Sequence, residues 1–302
     1  MIKLPFGVDI NNLIDDLRIF SWEAADILIY YSNCLNSKSN KNIVINPNQS
    51  FDPVTVADLK VNNLILDRIK ESYPNAEWQY LTEEDIKVKE ELQKFDSDWL
   101  WVLDPLDGTK DFIQGSGNYA MHLALNYKNV PYMGIVLIPS KDELWISNGE
   151  NVWCENRTRK IRKKNIPEIK ELNQMTLVTS KNHSNKFLKE LIDQIGFKKI
   201  IIMGSIGCKI ASILRGDSDI YISLSLPKRT CPKDWDFAAP DAILKAGGGC
   251  ITNIYNEKLS YNKLNFEQRG LLIATSNQVN HKYICKEIEQ IIIDNNMFPP
   301  ED

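Results

Sequence analysis

From residue 10 to residue 31 apolar side chains recur at helical spacing, at Leu13, Ile14, Leu17, Ala24, Ile27, Leu28 and Tyr31, until a Ser/Asn/Lys cluster ends the pattern. An amphipathic helix is predicted there. A short strand at 42–45 and a second helix at 55–72 follow, the latter turning Val61, Leu64, Ile65 and Ile69 inward, with Pro74 just past its end. After a strand at 78–81 the pattern becomes strand-like, with segments at 99–103, 120–127, 132–138, 143–146 and 151–154 separated by turn-prone residues. Helices followed by a meander predict an α+β domain over residues 1–156. Farther on, strands at 176–179, 199–203, 219–223, 250–252 and 271–274 interleave with helices at 184–195, 206–215, 235–246 and 282–293. That alternation predicts an α/β domain over residues 157–302, and neither half contains an internal repeat.

Composition narrows the class. With 302 residues, 43% hydrophobic and 25% charged, the chain has ample material for a core and fits neither a disordered nor a disulfide-scaffold protein. Its 36 basic and 40 acidic residues give a net charge of -4, which argues against a surface that attracts nucleic-acid polymers. One basic stretch, Arg157, Arg159, Lys160, Arg162, Lys163 and Lys164, reads as a solvated linker between the halves, with an anion-steering patch as the alternative. The longest apolar runs, 132–138 and 200–203, fall far short of the ~18–20 residues that span a bilayer. No apolar signal segment opens the sequence either, so no membrane partner and a cytoplasmic location are expected. The six cysteines form no C-x-x-C pair and the three histidines are dispersed, which predicts neither a zinc site nor a structural disulfide.

The chemistry concentrates after the most apolar strand. Trp99-Leu100-Trp101-Val102-Leu103 reads as a strand buried on both faces, and Asp104-Pro105-Leu106-Asp107-Gly108-Thr109 emerges at its end, where α/β sites commonly lie. Pro105 fixes a backbone torsion and Gly108 permits a turn, so Asp104, the Leu106 carbonyl and Asp107 can aim at one point. Carboxylates converging that closely need a proton or a cation between them, and oxygen ligands without His or Cys point to Mg²⁺. The competing reading is a plain turn. Glu83-Glu84-Asp85 follows the strand at 78–81 and forms a second acidic group at a strand end. In Asp234-Trp235-Asp236-Phe237-Ala238-Ala239 the first aspartate reads as a helix cap, leaving Asp236 free to project into a cleft. Thr55-Val56-Ala57-Asp58 matches a helix-start pattern, which gives Asp58 a capping role. Gly204-Ser205-Ile206-Gly207, between a strand and a helix carrying Lys209, is either a phosphate-holding helix start or a tight connection.

Together these segments resemble the lithium-sensitive, magnesium-dependent phosphomonoesterases: inositol monophosphatase, fructose-1,6-bisphosphatase and the 3'(2'),5'-bisphosphate nucleotidases. D-P-x-D-G-T is matched by residues 104–109, the upstream E-E by Glu83 and Glu84, and W-D-x-A-A by residues 235–239. The resemblance implies a layered αβαβα fold and two or three Mg²⁺ ions. It makes Glu83, Asp104, Asp107 and Asp236 side-chain ligands and Leu106 a carbonyl ligand. Thr109, Asp58 and Glu84 become catalytic residues, Thr109 with Asp58 activating the attacking water. Gly108, Thr109, Gly204, Ser205, Lys209 and Asp236 become candidates for the substrate subsite, with Arg229 and Lys233 nearby in sequence. Lys110-Asp111-Phe112-Ile113 and Leu81-Thr82-Glu83-Glu84-Asp85 are most similar to the K-E-F-I and L-S-E-E-D of CysQ-type nucleotidases, although Asp111 is shorter than the usual Glu and Ala-Ala-Pro240 stands for A-A-G. That likeness implies hydrolysis of adenosine 3',5'-bisphosphate to AMP and phosphate in sulfur assimilation, by a monomer or homodimer. An inositol monophosphatase or sugar bisphosphatase with the same metals is the enzyme alternative, and a regulatory binding protein on a phosphatase fold the other.

Overall fold

The computed structural model describes residues 2–36, 56–88, 94–162, 168–180, 186–225 and 231–297. The long helix α1 (Ile10–Asn36) is followed by α2 (Val56–Ser72), β1 (Gln79–Thr82) and the short α3 (Glu83–Val88). Then come β2 (Trp99–Asp107), α4 (Thr109–Gln114), β3 (Ala120–Tyr127), β4 (Val130–Ile138), β5 (Glu143–Ser147), β6 (Val152–Glu155) and β7 (Ile161–Arg162). These strands form a seven-stranded sheet in chain order, β1 and β2 parallel and the rest antiparallel.

The second half runs β8 (Thr176–Thr179), α5 (Lys186–Ile195), β9 (Lys199–Ile202), α6 (Ile206–Arg215), β10 (Ile220–Ser225), α7 (Asp234–Ala246), β11 (Cys250–Asn253), β12 (Gly270–Thr275) and α8 (Gln278–Asp294). Its five-stranded sheet has the order β11-β12-β10-β8-β9. Here β8, β9 and β10 pair in parallel, as α/β alternation requires, whereas β12 is antiparallel to both neighbours.

Strand alternation sets the layers. Trp99, Trp101 and Leu103 of β2 face α1 and α2, whose Leu13, Leu17, Val61 and Ile65 complete the first core. Leu100 and Val102 face the other way, into a core shared with Ile210 of α6, Phe237 of α7, and Tyr221 and Leu272 of the second sheet. Ile220, Ile222 and Ile273 face outward against Leu188 of α5 and Ile288 of α8. The order is therefore helix, sheet, helix, sheet, helix, the layered αβαβα fold.

Differences from the sequence pattern have local causes. The hydrophobic stripe of α1 continues through the buried Leu35, so the helix outlasts its polar cluster. The strand expected at 42–45 and Thr55 lie outside the described residues. The basic stretch begins as a hairpin rather than a linker: β7 pairs with β6, so the first sheet runs past residue 156. Arg157 is tied back to α1 by a 2.7 Å bond to Asp26 and by the ring of Trp22. Lys163 and Lys164 lie outside the described residues. None of the six cysteines, all of them among the described residues, is joined in a disulfide, and no helix among the described residues is long and apolar enough to cross a membrane.

Candidate active site

β2 delivers two carboxylates. All nine of its residues are buried, and it leaves the sheet through a shift of register against β3 between Asp104 and Asp107. Asp104 Oδ1 accepts the Leu106 N–H at 3.0 Å, closing an Asx turn. Gly108 follows at φ +85, where a Cβ would also stand 2.8 Å from the Asn118 carbonyl, so both conformation and space demand glycine. The Thr109 hydroxyl, at the start of α4, donates to the Leu106 carbonyl at 3.1 Å.

α7 supplies the third carboxylate, with roles exchanged from those the sequence suggests. Asp234 is not the cap. Lys233 occupies the N-cap position, and Asp236, three residues on, accepts its N–H at 2.6 Å. A side chain at that third position can reach back to the N-cap, whereas the first helical residue points away. Asp234 instead accepts the Asn262 N–H and the Gln268 amide, both at 2.6 Å, and ties down the loop ahead of β12.

One oxygen each of Asp104, Asp107 and Asp236 fall within 4.8 Å of one another. Burial, followed by the charges of Glu83, Asp107 and Asp236, raises the Asp104 carboxyl well above the usual carboxylate range. Asp236 is raised likewise, by burial and then by Asp107 and Glu83. Crowded oxygen donors without nitrogen or sulfur suit a hard divalent cation. The carboxylates open on a cleft of about 410 Å³, the scale of a small-molecule site, which Glu83, Leu106, Gly108 and Thr109 also line. Lys87, Lys110 and Lys233 also line the cleft and bring positive charge to it.

The remaining candidates are placed unevenly. Glu84 is 4% exposed, and both it and Glu83 pair with the Lys87 ammonium at 2.9 Å. Asp58 is buried in the first turn of α2. Gly204 reaches the cleft beside Asp111, whose carboxylate takes the space a Cβ would fill. Ser205 and Lys209 do not line it; both are fully buried. Ser205 Oγ accepts the Cys208 N–H at 3.2 Å, and Lys209 Nζ donates to the Gly204 carbonyl at 2.7 Å. The N–H groups at the start of α6 are likewise taken by protein, Ile206 donating to Asp107 Oδ2 at 2.5 Å and Gly207 to His122 Nε2 at 3.1 Å. The helix start thus serves the carboxylate rather than presenting a phosphate cradle. Burial pulls the Lys209 ammonium down to about 8 against the opposing charges of Asp107, Asp236 and Asp111. Lys233 donates to Glu267 and the Asn265 carbonyl, and Arg229 lies outside the described residues.

The family model described as the inositol monophosphatase family matches residues 21–292. The chain belongs to that family. Among its members, the 3'(2'),5'-bisphosphate nucleotidase CysQ of Buchnera aphidicola is 30% identical over 265 residues, 86% of this chain and 93% of its own. CysQ of Escherichia coli K12 is 27% identical over 212 residues, covering 69% and 79%. The inositol monophosphatase of Thermotoga maritima superposes with a TM-score of 0.70 at 21% identity, covering 94% of this chain and 99% of its own, which shows the shared fold. With these relatives the protein is a phosphatase of the CysQ and inositol monophosphatase type.

Two residues of this family member escape the motifs. Lys87 is signalled by its spacing, four residues after Glu83 on one helix face. His122 is a polar residue, like Asn126, within the strand predicted at 120–127, and β3 sets it opposite Asp104. Burial holds its imidazole below the ordinary histidine value, against the raising influence of Asp107.

Proposed function

We propose that this phosphatase uses two or three Mg²⁺ ions to hydrolyse adenosine 3',5'-bisphosphate to AMP and phosphate. The carrying observation is the convergence of Asp104, Asp107 and Asp236 from two separate parts of the chain onto one cleft. The Asp104 and Asp236 carboxyls, raised by burial first and then by the neighbouring carboxylates, fit a hard cation. Bound Mg²⁺ supplies a water of lowered pKa and positive charge for the phosphoryl and leaving oxygens.

On this reading the ligands are Glu83, Asp104, Asp107, Asp236 and the Leu106 carbonyl. Backbone N–H groups of Leu106, Ile206 and Lys233 hold the three aspartates in place, so little reorganisation is needed when charge develops. Thr109 accepts the proton of the attacking water and passes its own to Asp58, which requires its hydroxyl to turn from the Leu106 carbonyl, to which it donates at rest, toward Asp58. Glu84 acts beside Glu83. Gly108, Gly204, Lys110 and Lys233 contact the substrate, the lysines offering charge to the second phosphate. The bisphosphate is supported by the name the CysQ relatives carry and by Lys110-Asp111-Phe112-Ile113. The enzyme then serves sulfur assimilation in the cytoplasm, as a monomer or homodimer, and Li⁺ inhibits it by replacing a divalent ion with one of half the charge.

Phosphate release with and without Mg²⁺ tests the reading on adenosine 3',5'-bisphosphate, inositol 1-phosphate and fructose 1,6-bisphosphate. The nucleotide is expected to lead by at least ~10-fold in kcat/KM, the ratio that measures discrimination. Equal or reversed ratios would give the site to inositol or sugar phosphates; no Mg²⁺-dependent release from any of the three would overturn the metal mechanism.

A further inference from the structure

His122 lies between the buried apolar residues Met121 and Leu123 of β3, and its ring has no exposed surface. It stands opposite Asp104, at the last regular pair before the ladder shifts toward Asp107. The imidazole does not reach the cleft, which removes it from direct proton transfer to a substrate. What it touches is the support of Asp107. Nε2 lies 3.3 Å from Asp107 Oδ2 and accepts the Gly207 N–H at 3.1 Å, which assigns the single proton of the neutral ring to Nδ1.

The first N–H groups of a helix have no partner within it. At the start of α6 two of them are shared out in order: Ile206 to Asp107 Oδ2, and Gly207 to the imidazole. The contact depends on glycine, since a Cβ at 207 would stand 2.2 Å from Nε2 and 2.7 Å from Val136 Cγ1. Without the ring acceptor, Gly207 would be a buried donor in need of another partner. The nearby candidate is Asp107 Oδ2, 3.3 Å from that same ring nitrogen. A carboxylate drawn into bonds with both N–H groups would be turned toward α6 and away from Asp104 and Asp236.

We propose that His122 is a positioning residue of the metal site: by accepting the Gly207 N–H it leaves Asp107 with one backbone bond, from Ile206, and keeps the rest of that carboxylate aimed at a divalent cation. The inference rests on the reading of Asp104, Asp107 and Asp236 as ligands. It assigns His122 a task that a packing residue would not have.

Isothermal titration of the metal-free full chain with Mg²⁺ tests it, alongside melting curves in excess chelator. His122→Gln places an amide oxygen where Nε2 stands and should bind Mg²⁺ within ~3-fold of wild type. His122→Leu has no acceptor and should bind ~10- to 100-fold more weakly, the range for lost support behind a metal ligand. His122→Asn, whose amide ends near the Nδ1 position, should weaken binding similarly, and carries the test if the leucine variant does not fold. Saturating Mg²⁺ should restore much of kcat to the weakened variants. Wild-type affinity in the folded Leu or Asn variant would overturn the proposal, as would a Gln variant as weak as Asn. A wild-type protein that takes up no Mg²⁺ would instead overturn the ligand reading itself, a result visible before any variant is compared.

Discussion

At the scale of single residues, the carboxylates are supported in ways that separate chemistry from folding. Asp104→Asn and Asp107→Asn each keep an oxygen acceptor for the Leu106 and Ile206 N–H groups, so neither should unfold the protein. Each removes a charge meant for the cation and should lower kcat/KM by ~10³-fold or more, several kcal/mol of transition-state stabilisation. Melting in chelator should leave Asp104→Asn level with or above wild type, since the crowding that raises the Asp104 carboxyl is relieved. Near-normal Mg²⁺-dependent turnover in either variant would end the ligand assignment. Thr109 and Asp58 allow a sharper test, because Asn caps a helix about as well as Asp. If they act as one unit, Asp58→Asn and Thr109→Val each lose ~10²-fold in kcat, and the double variant is little worse than either. Multiplicative losses in the double variant would show two independent roles instead.

Elements bring these residues together through close packing. α7 lies against β4 at Gly134, where a Cβ would meet the Ala239 carbonyl and Ala242 Cβ at 2.7 Å each; this contact sets the height at which Asp236 enters the site. Farther out, α8 is pinned to the second sheet by His281, whose two ring nitrogens bond Thr252 Oγ1 at 2.7 Å and Thr275 Oγ1 at 2.9 Å. Burial pulls this histidine down to about 4. It stays neutral in the fold while the unfolded chain takes up a proton below about 6.5. Its contribution is therefore intact above that pH and is lost as the pH falls toward 4, by at most about 3 kcal/mol. Half-buried Asp241, raised to about 6, works in the opposite direction over the same range. The measurement is therefore the stability difference between wild type and His281→Gln, expected to shrink steadily from pH 7 to pH 4.5. A difference constant across that range would show that His281 does not titrate with unfolding.

On the scale of the molecule, the site joins the end of the first sheet to the helix layer between the sheets. A cation held by Asp104, Asp107 and Asp236 binds the folded chain and not the unfolded one, so Mg²⁺ at 100 times its dissociation constant should add about 2.7 kcal/mol. For a chain of 302 residues that is a rise of roughly 4 °C in Tm, and Asp104→Asn should forfeit most of it. An unchanged wild-type Tm at millimolar Mg²⁺ would count against the site. Much of this architecture is legible in the sequence, since period and local chemistry travel with the chain: the alternation of Trp99, Trp101 and Leu103 with Leu100 and Val102 already divides the first sheet's two faces. The turn of Asp104 to Thr109 needs only Pro105 and Gly108 beside the carboxylates. The fate of other polar residues is decided by what arrives from distant segments. Lys209 and Ser205 read as open to a ligand until packing in the shared core buries them, and the start of α6 reads as either a phosphate cradle or a tight connection until Asp107 and His122 claim its N–H groups. Spacing along the chain fixes which side chains share a face, but a hydrogen-bond donor is committed only when an acceptor reaches it, and for α6 those acceptors come from β2 and β3.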